Sequence, residues 1–215
     1  MEKDLSDYRK SYVKKELRTS EVPKNPFVLF QKWFDAVEAS NSVEETNAMS
    51  VATVGEDGFP KTRIVLLKQL TEEGFVFYTN YNSEKGKAIT NNPQVCLSFF
   101  WPEMEQQIII KGRAEKVSPE TSDAYFASRP KGSQLGAWAS AQSTVVPSKE
   151  TLVASLSQHE TSFGDGKIPR PKHWGGFIVK PISMEFWQGR PNRMHDRIRF
   201  SSKQDNSWKI ERLAP

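Results

Sequence analysis

From Asn25 the chain reads PFVLFQKWFDAVEA, with Phe27, Phe30, Phe34 and Val37 three or four residues apart. That is the spacing of one helical face, with Asn25 as N-cap and Pro26 at the first helical position. At Ala48 the period drops to two. AMSVATV, a turn GEDGFP with Asp57-Gly58 at its tip, and TRIVLLKQL together predict a hairpin. The runs GFVFYT, QVCLSFFW, QQIIIKGRAEKV, GGFIVKPISMEFWQ, RIRFSS and WKIERL predict further strands. SEKGKAITNN, SPETSDAYFASR and SKETLVASLSQHE interpose helices, and GDGKIPRPKHWGG reads as a surface loop. Many short strands at close spacing predict a mostly β fold, an antiparallel barrel with peripheral helices.

Composition adds an expectation of oligomerisation. Hydrophobic residues are 37% of 215, lean for a self-contained core, while 13 Phe, 6 Trp and 5 Tyr supply large side chains for packing or for a partner subunit. The single cysteine, Cys96 in VCLSFFW, excludes a disulfide within the chain and reads as a buried strand residue in a reducing compartment. No apolar run is long enough to cross a bilayer, and MEKDLSDYRK lacks the apolar core of a signal peptide, so the expected location is cytoplasmic, away from membranes. The net charge of +4 is uneven: from Lys167 onward eleven Lys and Arg face four Asp and Glu, 11 − 4 = +7. Such an excess points to an anionic partner, whether nucleic acid, membrane surface or small phosphate compound.

Several chemistries find no support. There is no GxGxxG after a strand, no P-loop and no GxSxG elbow. His159, His173 and His195 are far apart without a ligand-spaced cysteine or carboxylate cluster, so no metal site is expected.

What remains is cationic and hydrogen-bonding residues near strand ends and helix starts. Arg63 opens RIVLLK and Lys68 closes it, five positions apart and so on opposite faces of a regular strand. Tyr78 and Thr79 end a strand, and Ser83 caps a helix whose first turn holds Lys85, a place suited to a phosphate. Tyr125 and Arg129 share a helical face, with Ser133 just past the Pro130 break. A guanidinium fork and two hydroxyls suit a phosphate monoester. Gln107, Gln142 and Ser143 offer groups for the edge of a polar heterocycle. Taken singly, Lys85 is equally well explained as a solvated lysine beside an ordinary cap, and the others are more often plain surface residues. RPNRMHDR, Arg190 to Arg197, follows the apolar MEFW. In an extended chain Arg193, His195 and Arg197 share a side, with Asp196 facing the other way toward a basic neighbour.

The ordered set RIVLLK, VFYTN, SEK, QQIIIKGRAEK, YFASRP, SQLGAWAS, QS, WGGF, EFWQG, RMHDR and WKIERLAP resembles the pyridoxamine 5'-phosphate oxidase family, from about residue 25 to the end. The resemblance implies an FMN-binding split β-barrel over residues 25–215 after an N-terminal segment, 1–24. It also implies a homodimer with each FMN bound between subunits. Matching positions imply FMN contacts from Arg63, Ile64, Val65, Leu66, Leu67, Lys68, Tyr78, Thr79, Lys85, Gln107, Gln142, Ser143, Trp187 and Arg197. They imply a substrate-phosphate clamp of Lys68, Tyr125, Arg129 and Ser133, the catalytic pair Arg193 and His195 over the substrate ring, and a lid carrying Arg9 and Tyr12.

The implied reaction oxidises pyridoxine or pyridoxamine 5'-phosphate to pyridoxal 5'-phosphate, with O2 as acceptor and H2O2 as product. Glu84 departs from the pattern, standing where many members have arginine; it is expected to point away and leave Lys85 to bear the phosphate. Two other classes fit less well. A split-barrel reductase or flavin-storage protein shares the fold but has no need of the clamp. A nucleic-acid module accounts for the basic tail, but Phe177, Phe186 and Trp187 lie in strand-like apolar runs rather than in an exposed stripe.

Overall fold

A computed structural model describes residues 3–215. The elements are α1 (Pro26–Ser40), β1 (Ala48–Val54), β2 (Pro60–Leu66), β3 (Gln69–Leu70), β4 (Phe75–Asn80), α2 (Glu84–Asn91), β5 (Gln94–Trp101) and β6 (Gln106–Lys116). They continue with α3 (Pro119–Ser128), α4 (Lys131–Ala139), α5 (Lys149–Phe163), β7 (Trp174–Gln188), β8 (Asp196–Ser202) and β9 (Trp208–Leu213). Two compact units result. Unit 1 takes the described part of Met1–Ala48 with Leu97–Lys111 and Pro181–Pro215; unit 2 takes Met49–Cys96 and Gly112–Lys180. The strand order is β2-β1-β5-β6-β7-β4-β3, with β8 paired to β7 and β9 to β8.

In unit 1, Asn25 Oδ1 accepts the Phe27 N–H at 2.9 Å to start α1, and Asn41, at φ 50°, ends it in the left-handed conformation. The buried stripe of α1 is Leu29, Phe30, Trp33 and Val37. It is rotated from the predicted one: Phe34 is only half-buried, and Phe27 meets Trp208 at 6.4 Å. Phe30 packs edge-on against Phe99 at 5.1 Å and Trp33 against Phe186 at 5.3 Å. These contacts supply by ring area what the lean composition lacks in aliphatic residues.

In unit 2, β4 is buried nearly throughout and pairs antiparallel with β7, setting Tyr78 opposite Gly176 and Thr79 opposite Gly175. A Cβ on Gly176 would lie 2.8 Å from the Tyr78 ring, so the glycine is what lets that ring lie flat on the sheet. The single strand expected over TRIVLLKQL is broken at Leu67–Lys68, although the Lys68 N–H still reaches the Val76 carbonyl at 2.8 Å. The break resets the alternation of faces. Helix α4 occupies residues to which no element had been assigned, and Pro130, expected as a break, immediately precedes its first turn. The loop 164–173 is not wholly on the surface: Ile168 is buried with Phe126, Leu135 and Trp174.

Candidate functional site: an anion cavity and an aromatic cluster

Unit 2 encloses a cavity of about 460 Å³. Among the expected residues, Ile64, Val65, Leu66, Lys68, Tyr78, Thr79, Lys85, Tyr125, Arg129, Ser133 and Gln142 line it. Sequence reasoning missed Asn80, Gly136, Ala137, Ser140 and the platform residue Trp174. WGGF was the only signal for the tryptophan, and the α4 residues were missed because no helix was expected immediately past Pro130.

One end of the cavity is polar. Lys85 sits in the first turn of α2, whose N-cap Ser83 Oγ accepts the Gly86 N–H at 3.2 Å. Its side chain is buried, with Nζ donating to Thr79 Oγ1 at 3.1 Å and Gln142 Oε1 at 3.3 Å. Burial, and then the nearby Arg63 charge, push its pKa down, with Glu84 opposing.

The other end is aromatic and cationic. Tyr78 stacks on Tyr125 at 3.9 Å and on Trp174 at 5.5 Å, and the Arg129 guanidinium lies over the Trp174 ring at 4.5 Å. Burial raises the pKa of both tyrosines, keeping them as neutral O–H donors. It lowers that of Arg129, whose Nη1 is buried without a hydrogen-bond partner. The Arg129 carbonyl accepts from Gln134 Nε2 at 2.8 Å, which fixes the backbone between α3 and α4. Among the described residues no carboxylate lies within 4.0 Å of Lys68, Lys85 or Arg129.

Three expected unit 2 residues are not in this cavity. Arg63 Nη1 donates to Thr53 Oγ1 and the Lys61 carbonyl, both at 2.8 Å, and lines a separate cavity of about 250 Å³. Leu67 is buried, and Ser143 is exposed at φ 71°. Glu84 lines the smaller cavity with Arg63 and pairs with Lys61 at 2.7 Å, away from the Lys85 ammonium's partners.

Unit 1 gathers a second set. The rings of Trp187 and His195 are 4.8 Å apart, and Tyr12 stands edge-on to both, at 5.6 and 5.8 Å. His195 Nδ1 accepts the Arg190 N–H at 3.1 Å, which leaves the proton of a neutral ring on Nε2.

The extended run expected from Arg193 to Arg197 is not found. Pro191–Arg193 forms a 3-10 turn, with Asn192 and Arg193 at φ 56° and 60°, and β8 begins only at Asp196. Proline and two left-handed residues remove the alternation on which that parity rested. Arg193 is exposed. Arg197 is held by Glu185 at 2.7 Å and by the Ala214 carbonyl at 2.9 Å. Asp196 pairs with Arg212 at 2.6 Å, a basic neighbour as expected. Gln107 is half-buried on β6, and exposed Arg9 donates to the Ser6 carbonyl at 3.0 Å.

The basic tail also reads differently in three dimensions. Of its eleven cations, Arg170, Lys180, Arg190, Arg197, Arg199, Lys209 and Arg212 are in ion pairs. Among the described residues no group of three or more His, Cys, Asp or Glu is placed to hold a metal ion, and no helix is long and apolar enough to cross a membrane.

Against this geometry stand the similarities to known proteins. Residues 36–162 match the family model described as pyridoxamine 5'-phosphate oxidase. Residues 174–215 match one described as the pyridoxine 5'-phosphate oxidase C-terminal dimerisation region. The pyridoxine/pyridoxamine 5'-phosphate oxidase of Flavobacterium psychrophilum is 59% identical over 213 residues, covering 99% of this chain and 100% of that protein. PhzG from Burkholderia lata 383, solved with tetrahydrophenazine-1-carboxylic acid, superposes with a TM-score of 0.85 at 27% identity, covering 91% of this chain and 95% of its own. A pyridoxamine 5'-phosphate oxidase-related, FMN binding protein from Nostoc punctiforme shares the fold at 15% identity, with a TM-score of 0.70 and coverage of 90% and 100%.

Proposed function

The chain belongs to the pyridoxamine 5'-phosphate oxidase family, and from that premise we propose that it is an FMN-dependent oxidase. Its substrates are pyridoxine and pyridoxamine 5'-phosphate and its product is pyridoxal 5'-phosphate. The observation that carries the reading is the unit 2 cavity with three cations, the buried Lys85, the half-buried Arg129 and the exposed Lys68, with no carboxylate among the described residues within 4.0 Å of any of them. A desolvated charge without a counter-ion is costly, and a phosphate supplies the missing charge and acceptors.

Two phosphates need two cationic ends. Lys85, with Thr79, Gln142 and Ser143, binds the FMN phosphate; the burial of Lys85 and its lack of an acid partner fit that group. The segment from Arg63 to Lys68, with Tyr78, Gln107, Trp187 and Arg197, holds the remainder of the flavin. Lys68, Tyr125, Arg129 and Ser133 clamp the substrate phosphate, and this anchoring sets the position of the reacting carbon. FMN, when bound, supplies the two-electron acceptor for the carbon bearing the alcohol or amine, and O2 regenerates it with release of H2O2.

The chain itself orients and moves protons. His195, protonated on Nε2 and held through Nδ1, presents a donor of fixed direction to the substrate ring. Arg193 adds positive charge beside it, and Tyr12, with Arg9, covers the ring. Oxidation of the alcohol gives the aldehyde directly, while the imine from the amine is hydrolysed with loss of ammonia.

The C-terminal dimerisation region supports a homodimer. The flavin is held between its subunits, by an oxidase domain of residues 25–215 working in the cytoplasm. An anaerobic titration of FMN-loaded protein with pyridoxine 5'-phosphate tests the reading. Bleaching of the flavin band, reversed by air with formation of peroxide, is expected; flavin that stays oxidised with both phosphorylated substrates would remove the assignment.

A further inference from the structure

Glu105 is a buried carboxylate outside the chemistry described so far. It is 1% exposed, in unit 1, in the turn immediately before β6. Its Oε2 accepts the backbone N–H groups of Val13 at 2.9 Å and Lys14 at 3.0 Å, and Lys10 Nζ is 4.0 Å from Oε1. Among the described residues its side chain has no other polar partner, so this acid is compensated by the N-terminal segment. Its backbone stands at φ 55°, a conformation that favours glycine or asparagine. A glutamate there accepts strain to keep its carboxylate in place.

The two amides that it holds directly follow Tyr12 in the chain. Tyr12 is the residue packed edge-on to Trp187 and His195. The floor beneath the tyrosine is Gly189, where a Cβ would lie 2.7 Å from Tyr12 Cγ. The Gly189 N–H donates to the Glu105 carbonyl at 2.8 Å. One residue thus grips the segment through its side chain and the end of β7 through its backbone.

We propose that Glu105 is a positioning residue for the oxidation: it latches the segment so that the Tyr12 ring closes against His195 and Trp187 and retains the substrate. The kinetic part rests on the function proposed above. The latch itself does not, because it is read by proteolysis.

The test compares FMN-loaded wild type with Glu105→Ala, Glu105→Gln, Tyr12→Ala, the Glu105→Ala/Tyr12→Ala double variant and Val13→Pro. Val13→Pro removes one latched N–H from an exposed position and carries the test if Glu105→Ala does not fold. Trypsin cleavage after Lys15 is expected to accelerate about tenfold in Glu105→Ala and Val13→Pro, the worth of a lost charge-assisted hydrogen bond, and less in Glu105→Gln, whose amide oxygen still accepts. The KM for pyridoxine 5'-phosphate is expected to rise about tenfold in Glu105→Ala with kcat within about twofold of wild type. In the Tyr12→Ala background the same change is expected to add less than about twofold, because the residue through which Glu105 acts is gone.

Unchanged cleavage in both Val13→Pro and Glu105→Ala would overturn the latch. An equal KM effect with and without the tyrosine would overturn the route through Tyr12. A wild type that turns over neither substrate would overturn the proposed function and leave the latch to be decided by trypsin.

Discussion

Arg129→Met separates a binding role from a structural one. The guanidinium lies over Trp174 at 4.5 Å and near Phe126 at 5.6 Å, with Nη1 buried and unpartnered. Removing it forfeits a cation–π contact of about 0.5–2 kcal/mol. It also relieves a desolvated charge that no acid offsets, and methionine covers the same ring face. With the two effects opposed, net stability should move by no more than about 1 kcal/mol, or about 2–4 °C in Tm for a chain of this size. Substrate binding has no such compensation. Two charge-assisted hydrogen bonds to a phosphate, at about 1.5–3 kcal/mol each, are lost. Lys68, Tyr125 and Ser133 recover part, leaving about 2–4 kcal/mol, or about 30- to 1,000-fold in kcat/KM, expressed mainly in KM. Arg129→Lys keeps the charge without the fork and should lose about tenfold. Steady-state kinetics on pyridoxine 5'-phosphate and a thermal melt of the same preparations read both quantities. A kcat/KM within about threefold of wild type, or a Tm lowered by more than about 8 °C, would refute the reasoning, the first by removing the clamp and the second by making Arg129 structural.

The cofactor end makes its own pH prediction. Burial and Arg63 hold Lys85 below its ordinary 10.5, so between its lowered value and 10.5 the flavin-free folded chain binds fewer protons than the unfolded one. Stability therefore rises with pH across that window, and Lys85→Met should abolish this component in melts taken as a pH series. FMN restores the proton, so its dissociation constant, read by fluorescence quenching, should increase with pH in the same window; a constant value would contradict the assignment. Glu84→Gln should leave FMN affinity within about threefold, because the carboxylate is engaged by Lys61 in an exposed pair worth at most about 1 kcal/mol. Arg193→Ala should slow anaerobic flavin reduction at least about tenfold in stopped flow while FMN stays bound, and a normal reduction rate would remove its catalytic role.

Where sequence reasoning worked, period and caps both pointed one way. The strands AMSVATV, QVCLSFFW and WKIERL appear with those limits as β1, β5 and β9, and α1 starts at Pro26 after its asparagine cap. It failed where one residue has two uses. Pro130 ends a helix in one context and begins one in another, and only Leu135 packing among Phe126, Ile168 and Trp174 decides for α4. Arg63 and Lys68 do line different cavities, but not by strand parity, because the strand breaks at Leu67–Lys68 before the alternation reaches the lysine. The same parity argument failed at Arg193, because a 3-10 turn set by Pro191 and two left-handed residues is invisible to a period of two. Tyr125 and Arg129 of the proposed clamp could be brought together from the sequence because both are local to α3 and its cap. The Tyr12, Trp187 and His195 cluster was not, because its rings come from distant parts of the chain.

Charge shows the limit of reading along the chain most clearly. The window from Lys167 onward carries +7, yet most of its cations are matched by acids. Glu73, Asp123 and Glu16 lie outside the window, and a single acid can serve two bases, as Glu211 serves Arg199 and Lys209. Among the described residues, the cations that face one cavity with no acid within 4.0 Å are instead Lys68, Lys85 and Arg129, and of these Lys85 is buried and Arg129 half-buried. Net charge governs long-range steering, whereas a site for a phosphate is made where cations are desolvated and left without acids. The combination found at Arg129, a lowered pKa, an orphaned donor and an aromatic support that holds the guanidinium open, therefore supports the anion site proposed here, where the excess of the tail does not.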